Sequence, residues 1–232
     1  MSDLWGERRS MARAGVQPLA TRMRPQTIDE VVGQSHLLGP GKLLRRMLDA
    51  DAITSLIFHG PPGCGKTTLA EVIAQQTRRV VVRENAAVVG VKRIREIVEA
   101  ADDRVVQSGT RTILFLDEIH RFTRSQQDVL LGDVERGLIT LIGATTENPQ
   151  FACNAALVSR STLMRVEPLS ESDIETLVRR AVTEPDRGFG RTTITLDDKA
   201  VRVWAVKSDG DARRALTALE VAVLSSDAEE GQ

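Results

Sequence analysis

The sequence predicts an α/β fold, a parallel sheet covered by helices on both faces, followed by a small all-helical domain. Three observations predict it. First, Gly60-Pro61-Pro62-Gly63-Cys64-Gly65-Lys66-Thr67-Thr68 fits the phosphate-cradling pattern G-x-x-x-x-G-K-[ST]. It stands between a β-like run, Ser55–His59, and a helical pattern with Leu69, Val72 and Ile73 on one face. Second, Thr112–Leu116 and Leu138–Ala144 are apolar without alternation, the mark of strands buried on both faces. Third, after Pro168 the apolar residues recur at helical spacing.

The remaining elements follow in chain order. Residues 1–20 lack apolar periodicity and are arginine-bearing, so a flexible, mildly basic arm is expected. The Gly39-Pro40-Gly41 turn precedes a short helix through Leu43, Leu44, Met47 and Leu48. Val80-Val81-Val82 reads as a strand. Ile94, Ile97, Val98, Ala101 and Val105 share one face of an amphipathic helix. Ser125-x-x-Asp128 has the form of a capping box opening a helix through Val129, Leu130 and Val134. Ser170-x-x-Asp173 opens another through Ile174, Leu177, Val178 and Ala181. A Pro/Gly-bearing loop, Glu184–Thr192, separates it from two helical patterns: Ala200, Val203 and Trp204, then Ala212, Leu216, Leu219 and Val223. The expected organisation is an arm (1–20), a nucleotide-binding α/β domain (21–166), a helical domain (167–226) and a frayed acidic tail (227–232).

Charge and composition narrow the class. Lys+Arg (31) and Asp+Glu (32) nearly cancel, which leaves room for a local basic patch and gives no global sign of nucleic-acid binding. No apolar run reaches transmembrane length, and Met1–Val16 lacks the apolar core of a secretory leader, so a cytoplasmic chain without membrane contact is expected. Cys64 and Cys153 lack metal-ligand spacing and read as reduced thiols.

The chemistry lies at the strand ends. Lys66 would reach the β- and γ-phosphates of a nucleotide, and the Thr67 hydroxyl would ligate Mg²⁺. About fifty residues later a buried strand ends in Asp117-Glu118; Asp117 would hold Mg²⁺ through water, and Glu118 would polarise the attacking water as general base. In an open parallel sheet both strand ends face one ligand-binding edge. Ala144-Thr145-Thr146-Glu147-Asn148-Pro149 brings hydroxyls and an amide to that edge, either to orient the water or as plain turn chemistry. Arg160 reads as a finger for a neighbouring subunit's γ-phosphate or as a solvated surface arginine. Arg213 reaches back to the nucleotide or pairs with Asp209 or Asp211. Lys92 and Arg93 open a helix and face either DNA or solvent.

These segments, in this order and spacing, resemble an AAA+ ATPase of the clamp-loader type. The finer resemblance is to the replication-associated recombination protein A family. It is carried by Pro18–Pro25, Val31–Leu38, Asp117-Glu118-Ile119-His120-Arg121-Phe122, Ser125–Asp128 and Ile142–Pro149, and spans about residues 17–224. The resemblance implies that the ligand is ATP with Mg²⁺, and that the helical domain is a lid. It implies that Val32 and Gly33 lie by the adenine, beside the loop residues Gly60, Pro61, Pro62, Gly63, Cys64, Gly65, Lys66, Thr67 and Thr68. Thr146 (or Thr145) would be the first sensor residue, Arg160 the trans-acting finger and Arg213 the second sensor. Implied partners are forked, gapped or single-stranded/duplex junction DNA, further copies of the chain, and single-stranded-DNA-binding protein, in the cytoplasm at the nucleoid. The implied activity is DNA-dependent ATP hydrolysis in replication-fork maintenance, recombination and repair. Alternatives are another AAA+ DNA motor, such as a branch-migration helicase or clamp-loader subunit, and a non-hydrolysing ATP-dependent recruitment scaffold.

Three positions depart from the family pattern. Cys64 replaces a usual Thr and would make the loop thiol-sensitive; Leu131-Gly132-Asp133 replaces a Pro-His segment; Asn85 replaces a Ser and would restrain Glu118 until DNA binds. The resemblance stops at the helical domain, so a chain truncated before the family's oligomerisation region is expected.

Overall fold

The computed structural model describes residues 17–229. Residues 1–16 of the expected arm and 230–232 of the expected tail lie outside the described residues. Among the described residues two compact units form: 26–167, and 17–25 together with 168–229.

In chain order, α1 is Leu19–Arg22, α2 is Ser35–Leu38 and α3 is Leu43–Asp49. Strand β1 (Leu56–His59) leads through the glycine loop to α4 (Lys66–Gln76). Then come β2 (Val80–Asn85), α5 (Val91–Ser108), β3 (Thr112–Asp117), α6 (Arg124–Glu135) and β4 (Ile139–Thr145). Two short helices, α7 (Pro149–Ala152) and α8 (Ala155–Ser159), precede β5 (Thr162–Arg165). The last three helices are α9 (Glu171–Thr183), α10 (Asp198–Ser208) and α11 (Ala212–Glu229).

The first unit is built on a five-stranded sheet of order β2-β3-β4-β1-β5, parallel throughout. Side chains along a strand alternate between faces, so a sheet covered on both sides needs apolar residues at every position. Strand β3 shows this directly. Ile113 and Phe115 join one core with Leu56, Phe58, Leu69 and Ile73; Leu114 and Leu116 join the other with Ile57, Ile94, Ile97 and Leu130. The register sets His59 opposite Thr145 and Asn85 opposite Asp117. The phosphate loop, the acidic pair and the threonine pair therefore emerge at the same edge.

Local chemistry fixes the element starts. The expected Ser170–Asp173 box is present: Asp173 N donates to Ser170 Oγ (3.1 Å) and Ser170 N to Asp173 Oδ2 (3.0 Å). The box at α6 lies two residues earlier than Ser125–Asp128. Gln126 N donates to Thr123 Oγ1 (3.3 Å) and Thr123 N to Gln126 Oε1 (2.9 Å). A glutamine at the third helical position serves the box as an acid does, and Asp128 accepts instead from Asn154 Nδ2. Strand β5 is a further element that periodicity did not reveal, a four-residue edge strand, Thr-Leu-Met-Arg, with only its Met164 buried.

In the second unit, α9, α10 and α11 pack around Ile174, Val178, Ala181, Val201, Ala205, Leu216 and Leu219. Helix α1 belongs here. Leu19 and Met23 are buried in this core, and Leu19 N donates to Glu220 Oε1 (2.8 Å). This corrects the arm and domain boundaries: residues 19–20, read as arm, and 21–25, read as the α/β domain, belong with the helices. The cause is length. Two apolar residues four apart make one helical turn, too little for a periodic signal.

Candidate active site

The glycine loop is shaped by what side chains cannot do. Gly60 (φ 157°) passes so close to β5's exit that a Cβ would sit 2.1 Å from the Val166 carbonyl oxygen. Gly65 (φ 107°) caps α4 in a conformation L side chains rarely adopt. The loop thus leads directly into the N-terminus of an eleven-residue helix, whose free amides make a natural anion cradle. Lys66, the first residue of that helix, is only 8 % exposed. Its Nζ donates to the carbonyls of Gly60 (2.8 Å) and Pro61 (2.6 Å). Burial first, then the charges of Arg165 and Lys66, lower the pKa of His59 at the end of β1, so the positive charge there belongs to the lysine and arginine.

Cys64 corrects an expectation. The residue is 2 % exposed and its thiol donates to the Pro61 carbonyl oxygen (3.0 Å). Burial pushes its pKa up against the opposing pull of Lys66. The reactive thiolate is disfavoured, so the loop is not built as a thiol-sensitive site.

The acidic strand end meets the loop. Thr67 Oγ1 donates to Asp117 Oδ2 at 3.1 Å, joining residues fifty apart in sequence. A hydroxyl and one carboxylate, with open coordination left for phosphate and water, is the oxygen set Mg²⁺ takes in nucleotide sites. Glu118 follows with left-handed backbone (φ 55°), and its amide donates to Asp117 Oδ1 (3.0 Å). Its Oε2 lies 3.0 Å from Nε2 of His120. The other ring nitrogen, Nδ1, is 3.0 Å from Thr145 Oγ1, which also accepts from Glu147 N (3.0 Å).

This network sorts the threonine pair. Thr145 is buried and bonded toward Glu118; Thr146, the first choice from sequence, is exposed. Asn148 is turn chemistry, its Oδ1 accepting from Gln150 N to cap α7 (3.0 Å). Asn85 spends its side chain on its own turn, accepting from Ala87 N (2.8 Å), while Glu118 is held by His120.

Val32 and Gly33 are held beside the loop by a residue that spacing did not single out. Gln34 is buried with φ 55°; its Nε2 donates to the Glu167 carbonyl (2.7 Å) and the Cys64 carbonyl (3.4 Å), and its Oε1 accepts from Glu167 N (3.1 Å). An amide offers both donor and acceptor on one side chain, and no periodic pattern signals that use. Arg160 is not in this cluster. It caps α8, donates to the Ala156 carbonyl (2.8 Å) and pairs with Glu135 at the end of α6. Arg213 opens α11 in the other unit, its amide donating to Asp211 Oδ1 (2.8 Å). Arg93 pairs with Glu84 (3.0 Å) and Glu96 (3.4 Å), and Lys92 beside it is exposed.

Comparison with known proteins agrees with this geometry. Residues 56–168 match the family model "ATPase family associated with various cellular activities (AAA)". Replication-associated recombination protein A of Escherichia coli K12 is 50 % identical over 205 residues, covering 88 % of this chain and 46 % of that protein. Its Bacillus subtilis counterpart is 43 % identical over 211 residues, covering 91 % and 49 %. The chain thus spans about half the length of the curated relatives it matches. Among solved structures, the Thermotoga maritima RuvB Holliday junction branch migration motor superposes with a TM-score of 0.67 at 25 % identity, covering 86 % of this chain and 64 % of that one. The phosphate loop, the joined Thr67–Asp117 pair and the five-stranded parallel sheet are therefore those of an AAA-type ATPase fold, and the chain is a homologue of the replication-associated recombination protein A proteins.

Proposed function

We propose that this chain is a DNA-dependent ATPase acting in replication-fork maintenance, recombination and repair. The observation that carries the hydrolysis is the 3.1 Å contact between Thr67 and Asp117, with Glu118 and Thr145 at the same sheet edge. The loop amides and Lys66 bind the polyphosphate, Lys66 exchanging its carbonyl partners for phosphate oxygens. Val32 and Gly33 take the adenine. Thr67 directly and Asp117 through water would hold Mg²⁺, which would supply Lewis-acid neutralisation of phosphate charge. Glu118 accepts a proton from water as its oxygen bonds the γ-phosphorus; the bond to the β-phosphate bridging oxygen breaks, giving ADP and phosphate. Thr145, rather than Thr146, orients that water.

The relatives' names support the setting, replication and recombination, and we extend it to forked, gapped or junction DNA, to assembly with further copies, and to a single-stranded-DNA-binding protein as partner. The location is cytoplasmic at the nucleoid; no helix among the described residues is long and apolar enough to cross a membrane. Steady-state phosphate release with and without forked DNA tests the reading. Release is expected to rise with DNA, and the stimulation to fall steeply with added salt, as phosphate contacts require. Equal rates with and without DNA at low salt would remove the DNA dependence; no release under either condition would remove the enzyme.

Arg160 acts in trans in this proposal, leaving Glu135 for a neighbouring copy's γ-phosphate. Arg160→Ala alone is expected to be inactive. Mixing it with a copy carrying Glu118→Gln and an intact Arg160 should restore turnover, because one interface then holds both groups. Failure to recover activity in mixtures that co-assemble counts against the trans role.

A further inference from the structure

We infer that His120 is a positioning residue for Glu118, fixing the base by one oxygen and linking it to Thr145. The inference rests on the reading of Glu118 as the general base. His120 stands in the 3-10 turn Ile119–Arg121 directly after the acidic pair. Its side chain is 6 % exposed, whereas that of Glu118 is 35 % exposed. Both ring nitrogens are engaged: Nε2 at 3.0 Å from Glu118 Oε2 and Nδ1 at 3.0 Å from Thr145 Oγ1. A second carboxylate, Glu147, lies 3.9 Å from Nε2.

The donors can be assigned in a neutral ring. An ionised carboxylate only accepts, so Nε2 carries the hydrogen toward Glu118. A neutral imidazole with Nε2–H has an acceptor at Nδ1, so the Thr145 hydroxyl donates there. Thr145 Oγ1 in turn accepts from Glu147 N. The chain of donors therefore runs from the backbone after β4, through one hydroxyl and one ring, to the carboxylate. Thr145, its middle link, is anchored beside the phosphate loop, since Gly60 N donates to the Thr145 carbonyl (3.3 Å).

Two consequences follow. With Oε2 held by the ring, Oε1 remains for the attacking water, and a carboxylate otherwise open to solvent keeps one orientation. Moreover, Thr145 has a single hydroxyl proton. When a γ-phosphate or its water draws that proton, Nδ1 loses its partner, and the ring that orients Glu118 registers the change. The base and the sensing threonine are thereby set together. A histidine that merely filled space would need neither bond.

Two substitutions in the full chain separate these roles. The amide of Asn reaches the level of Nδ1, and that of Gln the level of Nε2. His120→Asn keeps a partner for Thr145 and withdraws the donor from Glu118; His120→Gln restores that donor. Phosphate release with forked DNA gives kcat and KM, and a fluorescent ATP analogue gives binding. His120→Asn should lower kcat about ten- to a hundredfold, the worth of one hydrogen bond to a charged group. KM and analogue binding should stay within about twofold, because the bond does not touch the bound nucleotide. His120→Gln should recover most of kcat. The inference is overturned if His120→Asn turns over at the parent rate or faster, if its loss lies in KM or binding, or if Gln fails as badly as Asn. Turnover absent from the parent itself would instead overturn the hydrolysis reading, and this inference with it.

Discussion

Replacing Lys66 by alanine is expected to abolish nucleotide binding while leaving the chain folded. The ammonium supplies charge-assisted bonds to two phosphates, each worth about 1.5–3 kcal/mol, so affinity should fall on the order of 10²–10⁴-fold. Without ligand the same group donates to the Gly60 and Pro61 carbonyls, so binding exchanges these bonds for phosphate bonds rather than adding to them. Thermal unfolding with and without Mg-ATP reads the effect. A ligand at a hundred times its Kd stabilises by about 2.7 kcal/mol, which moves the midpoint of a chain this size by several degrees. Lys66→Ala should lose that ligand-dependent shift. A parent-sized shift in the variant would show that the loop does not bind phosphate through this lysine.

Glu118→Gln should have the opposite signature, binding ATP as the parent does and failing to turn it over. General-base contributions are about 10²–10⁴-fold, so kcat should drop by at least about a hundredfold. The glutamine oxygen still accepts from His120 and keeps the side chain in place, but it takes no proton from water. Turnover at the parent rate would mean that the base lies elsewhere. Retained binding distinguishes this variant from Lys66→Ala, and the two together separate cradle from chemistry.

The site was more legible than some of its supports, for physical reasons. The Gly60–Thr67 pattern and the Asp117-Glu118 pair are local in sequence, and a parallel sheet brings their strand ends to one edge by topology alone. Long buried strands such as β3 and β4 announce themselves by uninterrupted apolar runs. What escaped depends on partners distant in sequence. Gln34 matters through Cys64 and Glu167, 30 and 133 residues away. Helix α1 is fixed by contacts with the distant helical core, among them the bond from Leu19 N to Glu220, 201 residues away. The choice between Thr145 and Thr146 turns on register, since adjacent residues at a strand end point to opposite sides. The resemblance to the recombination family supplied the segment around Val32 and Gly33, which spacing alone did not mark.

Because all five strands run the same way, every turn at the opposite rim joins a helix end to a strand start; of the residues named above as chemical these turns carry Arg160, which precedes β5. Asp51, Gly109 and Gly137, all with positive φ, sit in those turns. Lengthening or recutting the chain at the exposed Gly109, between α5 and β3, perturbs a solvated connection, as surface loops tolerate. The Gly109 turn is where a label or a fused reporter can be carried without disturbing ATP turnover.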